Sequence, residues 1–404
     1  MFSRRLLALL ALGAAMPAAA QNAPAPAPAA PAAVQPPAPA PVLAADWSRK
    51  DALELLRYVE GIRSEGLDPA DYDAGALREA IDAKDETLSE IATAAFLRVA
   101  SDLRFGHVRD SDRIDWHVKD DDWSVYDQQA LLDRAVKGRV AETFQSLLPT
   151  HPQYAALKSL LTDPATDAKT RDRIRINLDR WRWLPRDLGQ KYVLVNVPAY
   201  MVALVENGRV LSRRRAVAGA VKTATPQLNA TITGVIFNPW WEVPKSIEPE
   251  VRGKRGYVAV KDAEGKVVRY RQPPGPSNAL GRMKLVMPNH HAIYLHDTNA
   301  KGLFDKQARA YSHGCIRTED ALGFAQVLLE PTGKWDKAAI QKALATGKAV
   351  QADLAAPVPV YITYFTAAAI ADKKEIVAFK DIYGRDAPVQ VALNGRGNTA
   401  LASK

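Results

Sequence analysis

The sequence predicts an α+β protein: an N-terminal all-helical region followed by a mostly β region with a few helices. Three observations lead there. Apolar residues recur at i, i+3 and i+4 as far as Pro185, the period drops to two at Lys191, and an Asn-Gly turn then joins two β-rich runs. The 404 residues accommodate two domains of ordinary size plus tails. A composition of 47% hydrophobic and 25% charged residues excludes bulk disorder. The net charge of +9 is compatible with nucleic acid, an anionic membrane surface or an acidic polymer as partner, and sign alone does not choose among them. One cysteine excludes internal disulfides.

Taken in chain order, Arg4 and Arg5 precede the apolar run Leu6–Met16 and the small residues Ala18-Ala19-Ala20, the layout of a secretory signal cleaved after Ala20. The run is too short to span about 30 Å of hydrocarbon, so no stable membrane insertion is expected after cleavage. Residues 21–46 are an Ala/Pro-rich linker holding eight of the 27 prolines, an extended spacer or a tail. Export places the folded body in the periplasm and argues against nucleic acid. In such a compartment an unpaired cysteine is exposed to oxidation, so keeping Cys315 calls for a reason.

Residues 47–187 read as helical. The stripe Leu88, Ile91, Ala92, Ala95, Phe96, Val99, Ala100 and Leu103 is an amphipathic helix on a core. A second helix is predicted over Arg171–Trp183, with Ile174, Leu178 and Trp181 on one side and Arg171, Arg173, Arg175 and Arg182 on a solvated face. Residues 188–352 form the β-rich domain. Tyr192–Val197, Met201–Val205, Arg209–Leu211, Thr231–Phe237 and His291–His296 are its strands, with Asn207-Gly208 as a type I′ turn. Residues 248–276, rich in Gly, Pro and charge, form a long excursion over the sheet and a candidate lid. Thr318 is expected to cap a helix over Glu319–Leu329, and Trp335–Ala345 is another helix. Residues 353–404 are expected as a C-terminal β extension with strands at Val358–Tyr364 and Ile376–Phe379, frayed from Asn394.

Four of the seven histidines, His290, His291, His296 and His313, fall within 24 residues that lead to Cys315. In a regular strand, alternation puts His296 with Ala292 and Tyr294 on one face and His291 on the other, which separates the two rings. Ser312-His313-Gly314-Cys315 places the thiol after a flexible glycine and ahead of an expected helix N-terminus, where thiolate is favoured. Main-chain N–H groups near Cys315 could receive a developing oxyanion. A neutral His296 within reach of that thiol is the minimum equipment for nucleophilic catalysis. A zinc site built from His291, His296, His313 and Cys315 is the competing chemistry, but its spacing matches no ligand motif and alternation splits the set. No cofactor is expected.

His296, fifteen intervening residues and then Ser312-His313-Gly314-Cys315 resembles the signature of the YkuD-type L,D-transpeptidases. Asn238–Pro244, Pro274–Gly281 and Tyr294–Thr298 are similar to blocks of the large periplasmic, scaffold-bearing branch of that family, and Gly66–Tyr72 and Pro152-Gln153-Tyr154 to its scaffold domain. Arg317 stands where many members have Asn, a mark of that branch. There is no room between Leu160 and Lys191 for the three-helix binding module that the branch commonly carries.

The resemblance implies that Cys315 attacks a peptidoglycan tetrapeptide stem at meso-diaminopimelate, expels D-Ala and forms a thioester, with carbapenems as acylating inhibitors. His296 is implied as general base, oriented by the Asp297 carbonyl, with His313 and Gly314 lining the site. A second stem's amine as acceptor gives a 3–3 crosslink, water gives an L,D-carboxypeptidase, and a lipoprotein lysine gives anchoring. A wall-binding scaffold without turnover is the non-enzymatic alternative. Ser312, Arg317, Tyr294, Trp241, Tyr257, Tyr270 and Arg271 are expected stem contacts. Oligomeric state is not legible.

Overall fold

The computed structural model describes residues 44–83, 86–120, 127–370 and 373–399. The expected signal and most of the linker lie outside these. The helical region runs α1 (Arg49–Glu60), α2 (Ala74–Ala83), α3 (Leu88–Phe105), β1 (Trp116–His117), α4 (Gln128–Arg134), α5 (Val140–Gln145), α6 (Pro152–Leu161) and α7 (Ala168–Arg182). Its starts follow from local chemistry: Ser48, Asp127 and Asp167 accept from the main-chain N–H three residues on, and Pro152 occupies the first turn of α6. Ala92, Ala95, Phe96, Val99, Ala100 and Leu103 of the α3 stripe are buried, as their spacing predicts.

Of the α7 arginines expected on a solvated face, Arg171, Arg173 and Arg175 are partly exposed and Arg182 is buried, as is Arg180. Arg182 is 1% exposed, donates to the Tyr154 hydroxyl at 2.8 Å and to the Glu65 carbonyl, and stands 3.6 Å from Asp179. Arg180 pairs with Asp386 at 2.6 Å and donates to the Arg385 carbonyl. A buried guanidinium survives because acids and carbonyls are buried with it, and those partners are remote in sequence.

The second region contains β2 (Lys191–Asn196), β3 (Met201–Glu206), β4 (Arg209–Gly219), β5 (Gln227–Phe237), β6 (Trp241–Glu242), α8 (Glu248–Val251), β7 (Val258–Lys261), β8 (Val267–Gln272), β9 (Met283–Val286), β10 (Leu295–His296), β11 (Ala310–Ser312) and β12 (Ile316–Thr318). Then follow α9 (Ala321–Leu329), α10 (Lys337–Ala345), β13 (Val350–Thr363), β14 (Ala367–Ile370), β15 (Glu375–Ala378) and α11 (Asp386–Thr399). Asn207 and Gly208 both have positive φ, 49° and 74°, as a type I′ turn demands. The order β5-β13-β2-β3-β4-β12-β10-β9 closes through a β9–β5 pairing, so the sheet is a barrel. Val195, Val202, Phe237, Leu285, Ile316 and Ile362 belong to its core, with α9 and α10 residues packed into the same cluster.

Three expectations change. The strand expected over His291–His296 is only Leu295–His296, because Ala292 takes φ 52° and breaks the alternation. The cap of α9 is Asp320, at φ 41° with its carboxylate accepting from Gly323 N at 3.2 Å, and Thr318 remains in β12. The segment from residue 353 is no appendage: β13 sits between β5 and β2 in the barrel. Asn394 also lies within α11, whose Val389 and Leu393 bury against Val108, Ile176 and Trp183.

Residues 241–272 form a separate small sheet, β6-β8-β7, over a core of Val243, Ile247 and Val251. The helical region and the barrel share one apolar cluster, in which Leu55, Phe96 and Trp181 join Tyr192, Tyr361 and Phe365. β1 pairs with β5 of the barrel, Trp116 opposite Gln227. Among the described residues no helix is long and apolar enough to cross a membrane.

Candidate active site

Strand register gathers the candidate residues. β10 and β12 run parallel with Leu295 opposite Ile316 and His296 opposite Arg317, and Ile316 N donates to Tyr294 O at 3.0 Å. Side chains two residues apart share a face, so Tyr294 and His296 on one strand meet Cys315 and Arg317 on the next. All four line a cavity of ~170 Å³ together with Ser312, His313 and Trp241. The small sheet supplies its roof through Trp241, Pro244, Ser246 and Ile247.

The turn carrying the nucleophile is braced from below. Ser312 Oγ donates to the Cys315 carbonyl and accepts from Gly314 N at 3.1 Å. Thr225 Oγ1 donates to the Gly314 carbonyl at 2.8 Å and accepts from Gly219 N at 2.9 Å. Gly314 sits at φ 111°, a conformation that favours glycine, while a Cβ there would meet only the end of the Ile293 side chain at 3.1 Å. Because its N–H is committed to Ser312, Gly314 is not a free oxyanion donor, and the Cys315 main-chain N–H is left for that task.

Cys315 is partly accessible, with Sγ 3.7 Å from the Ala292 carbonyl. It precedes β12 rather than a helix, and α9 starts only at Ala321, so no helix terminus acts on it. Burial pushes the thiol pKa up, while the Tyr294 N–H and phenol, Lys284 and Arg317 act in the other direction. The resting group is therefore a thiol, not the expected thiolate. His296 is 5% exposed, and burial, with Arg317 beside it, pulls its pKa down to about 3 against the opposing effect of main-chain groups of Asp297 and Leu280. The imidazole is neutral at pH 7 and ready to accept a proton. Its Nδ1 is sealed from solvent, and the residue lines the cavity. The Asp297 side chain is engaged elsewhere, accepting from Arg282 N at 2.8 Å and pairing with Lys301.

His313 extends outward and its Nε2 meets Glu250 Oε1 of α8 at 3.2 Å, joining the catalytic turn to the small sheet. Tyr257, Tyr270 and Arg271 are not at the cavity. The two tyrosines pack on the core of the small sheet, and the Arg271 guanidinium lies 4.2 Å over the Trp240 ring. Long side chains on a three-stranded sheet are needed to give it an interior, which is why the tyrosines turn to its core. His291, expected on the opposite face from His296, lines the same cavity because the strand is broken at Ala292; its ring lies tilted against that of His117 of β1, centroids 4.1 Å apart. Among the described residues no group of three or more His, Cys, Asp or Glu stands ready to hold a metal. Lys284, Leu280 and Thr225 were not legible in advance. The run Met283-Lys284-Leu285-Val286 carried the one usable signal, a cation in an alternating apolar stretch.

A barrel that presents a thiol and a neutral imidazole on one face, roofed by a small sheet, is the class that fold and site define. Residues 190–360 match the family model of the L,D-transpeptidase catalytic domain, YkuD, and residues 44–161 match that of the Scaffold domain. The chain thus carries a YkuD L,D-transpeptidase catalytic domain behind a Scaffold domain. It is 30% identical over 293 residues to a Haemophilus influenzae protein provisionally named an L,D-transpeptidase, covering 65% of this chain and 59% of that relative's length. Among solved structures, a cysteine-to-serine mutant of Enterococcus faecium L,D-transpeptidase aligns at TM-score 0.25 and 14% identity over 45% of this chain and 52% of that one. A Mycobacterium smegmatis L,D-transpeptidase aligns at TM-score 0.24 and 13% identity over 43% and 58%.

Proposed function

We propose that this protein is a periplasmic L,D-transpeptidase that joins peptidoglycan stems by 3–3 crosslinks between meso-diaminopimelate residues. The observation that carries the reading is the common face of Cys315 and His296 in one roofed cavity. The neutral imidazole takes the Cys315 proton on Nε2 as Sγ attacks the carbonyl at the diaminopimelate L-centre. The oxyanion forms beside the Cys315 N–H. The C–N bond then breaks, His296 returns the proton to the departing D-Ala amine, and a thioester remains. The acceptor amine gives a proton to His296, attacks the thioester and regenerates the thiol. The amide is remade without ATP because the acyl group's energy stays in the thioester.

Arg317 lines the cavity and suits a stem carboxylate, and Trp241 and Tyr294 suit its aliphatic chain. Residues 248–276 line no part of the cavity and act as a lid only indirectly, by bracing the roof of Trp241, Pro244, Ser246 and Ile247 through the Glu250–His313 contact, so that solvent is excluded and amine is favoured over water. Deleting the β7–β8 hairpin should raise hydrolysis relative to crosslinking; an unchanged ratio refutes the lid.

Purified protein incubated with disaccharide tetrapeptides and weighed by mass spectrometry should release D-Ala and yield a crosslinked dimer, and carbapenem should add its mass to Cys315. Cys315→Ala should do neither. Tripeptide without dimer would assign a carboxypeptidase. Neither D-Ala release nor an adduct would leave a wall-binding scaffold.

A further inference from the structure

Register places a lysine beside the Cys315–His296 pair. Lys284 lies opposite His296 in the antiparallel β9–β10 pair, and His296 lies opposite Arg317 in the β10–β12 pair. The three side chains form one row on the barrel face that carries Tyr294 and Cys315 one step back, since directly opposed residues share a face with Cβ atoms about 5 Å apart. Lys284 is half-buried, and its Nζ sits 4.5 Å from the centroid of the Tyr294 ring. That ring is 5.6 Å from His296, and its phenol faces the sulfur. Met283 and Leu285, each 1% exposed, fill the barrel core on the other face and fix the strand's orientation. Among the described residues Lys284 makes no ion pair; Glu242, the acid that acts on it, stands 3.3 Å from Arg269.

We propose that Lys284 is a positioning residue for the nucleophile: with Arg317 it forms a cationic bracket that favours negative charge on Cys315 and opposes a lasting positive charge on His296. The inference deepens the transpeptidase reading and rests on it. A cation beside sulfur stabilises the thiolate, and a cation beside imidazole destabilises the imidazolium. In the acylation step the S–H proton moves to His296 Nε2 and then to the amine nitrogen as the C–N bond breaks. The bracket shortens the proton's stay on the ring and drives it onto the leaving group. Lys284 itself exchanges no proton. The charged and titratable groups around it are Tyr294, His296, Cys315, Arg317 and Glu242, and only Glu242 opposes its field.

The test is the pH profile of Cys315 alkylation by iodoacetamide, read by mass, in the full chain and in Lys284→Met, Lys284→Gln and Lys284→Arg. Loss of the charge should move the midpoint up by about one unit, making alkylation roughly tenfold slower below it. Lys284→Arg should keep the wild-type profile. Lys284→Gln retains a polar tip and decides the matter if methionine disturbs folding. Neutral variants that superpose on wild type, or an arginine variant displaced as far as they are, overturn the Lys284 assignment alone. A wild-type thiol inert to both iodoacetamide and carbapenem overturns the transpeptidase reading with it.

Discussion

Gly281 lies behind the base, and Gly281→Ala measures how tightly that base is held. The residue adopts φ 63°, and a Cβ there would lie 2.6 Å from the Asp297 carboxyl carbon and 2.7 Å from Thr298 N. A left-handed conformation costs a residue with a Cβ about 1–2 kcal/mol. Relief to ordinary contact near 3.4 Å requires a movement of about 0.7 Å by the chain directly after His296. That movement stretches the 2.8 Å bond from Arg282 N to Asp297 Oδ2, and an unmade bond to a buried carboxylate costs about 1–3 kcal/mol. The total is about 2–5 kcal/mol. Displacements of this size near the reacting atoms lower rates by up to about a hundredfold. Gly208→Ala is the internal control: φ is 74° in the hairpin with nothing within 4 Å, so only the conformational cost applies. Urea unfolding gives the stability difference and stopped-flow carbapenem acylation gives the rate. If Gly281→Ala costs no more than Gly208→Ala and acylates at the wild-type rate, the seal behind His296 is not rigid and the reasoning fails.

Arg182→Met should destabilise by about 1–3 kcal/mol, since it leaves the Glu65 carbonyl without its buried donor while Asp179 and the Glu65 carboxylate keep other donors, and a urea midpoint within error of wild type would contradict the buried network. Thr225→Val leaves the Gly314 carbonyl and Gly219 N–H without their partner and should slow acylation of Cys315 while the barrel stays folded by circular dichroism. The acylation rate should show no acid-side inflection near 6.5, because His296 stays neutral down to about 3, and should climb toward alkaline pH as the thiol ionises. Stability, unlike the rate, does depend on pH on the acid side. His296 and His151, held at about 3 and about 4 by burial, take up protons near 6.5 only when unfolded, so stability falls from pH 6.5 downward until the folded groups titrate. His151→Gln should flatten that acid limb.

Cys315 and His296, which share one cavity, stood out because a lone thiol behind an expected export signal and an imidazole upstream are rare residue types whose pairing has few structural explanations. The β-rich domain was legible from alternation in β2 to β5, but its closure into a barrel was not, because the β9–β5 pairing joins strands far apart in the chain. Alternation failed at His291–His296, where one positive φ at Ala292 turns a strand into a bent approach, a local event no period records. Patterning also misjudged Arg182, because hydropathy scores a guanidinium without seeing Glu65 and Tyr154 arrive from far along the chain. Lys284 escaped notice because β9 is four residues long and its neighbours belong to other strands. The tyrosines of the small sheet were assigned to ligand because their own core, Val243, Ile247 and Val251, is too small to announce itself.

The short β1 ladder has a practical consequence. Trp116 and His117 cover the start of β5, Asn229 grips both main-chain groups of Lys119, and Leu188, Tyr192 and Phe365 rest on helical-region side chains. A protease that nicked the connector between residues 182 and 191 would therefore release nothing: the two pieces would elute together, and a gene trimmed to residues 190–360 would make a barrel with a raw edge and a sticky flank.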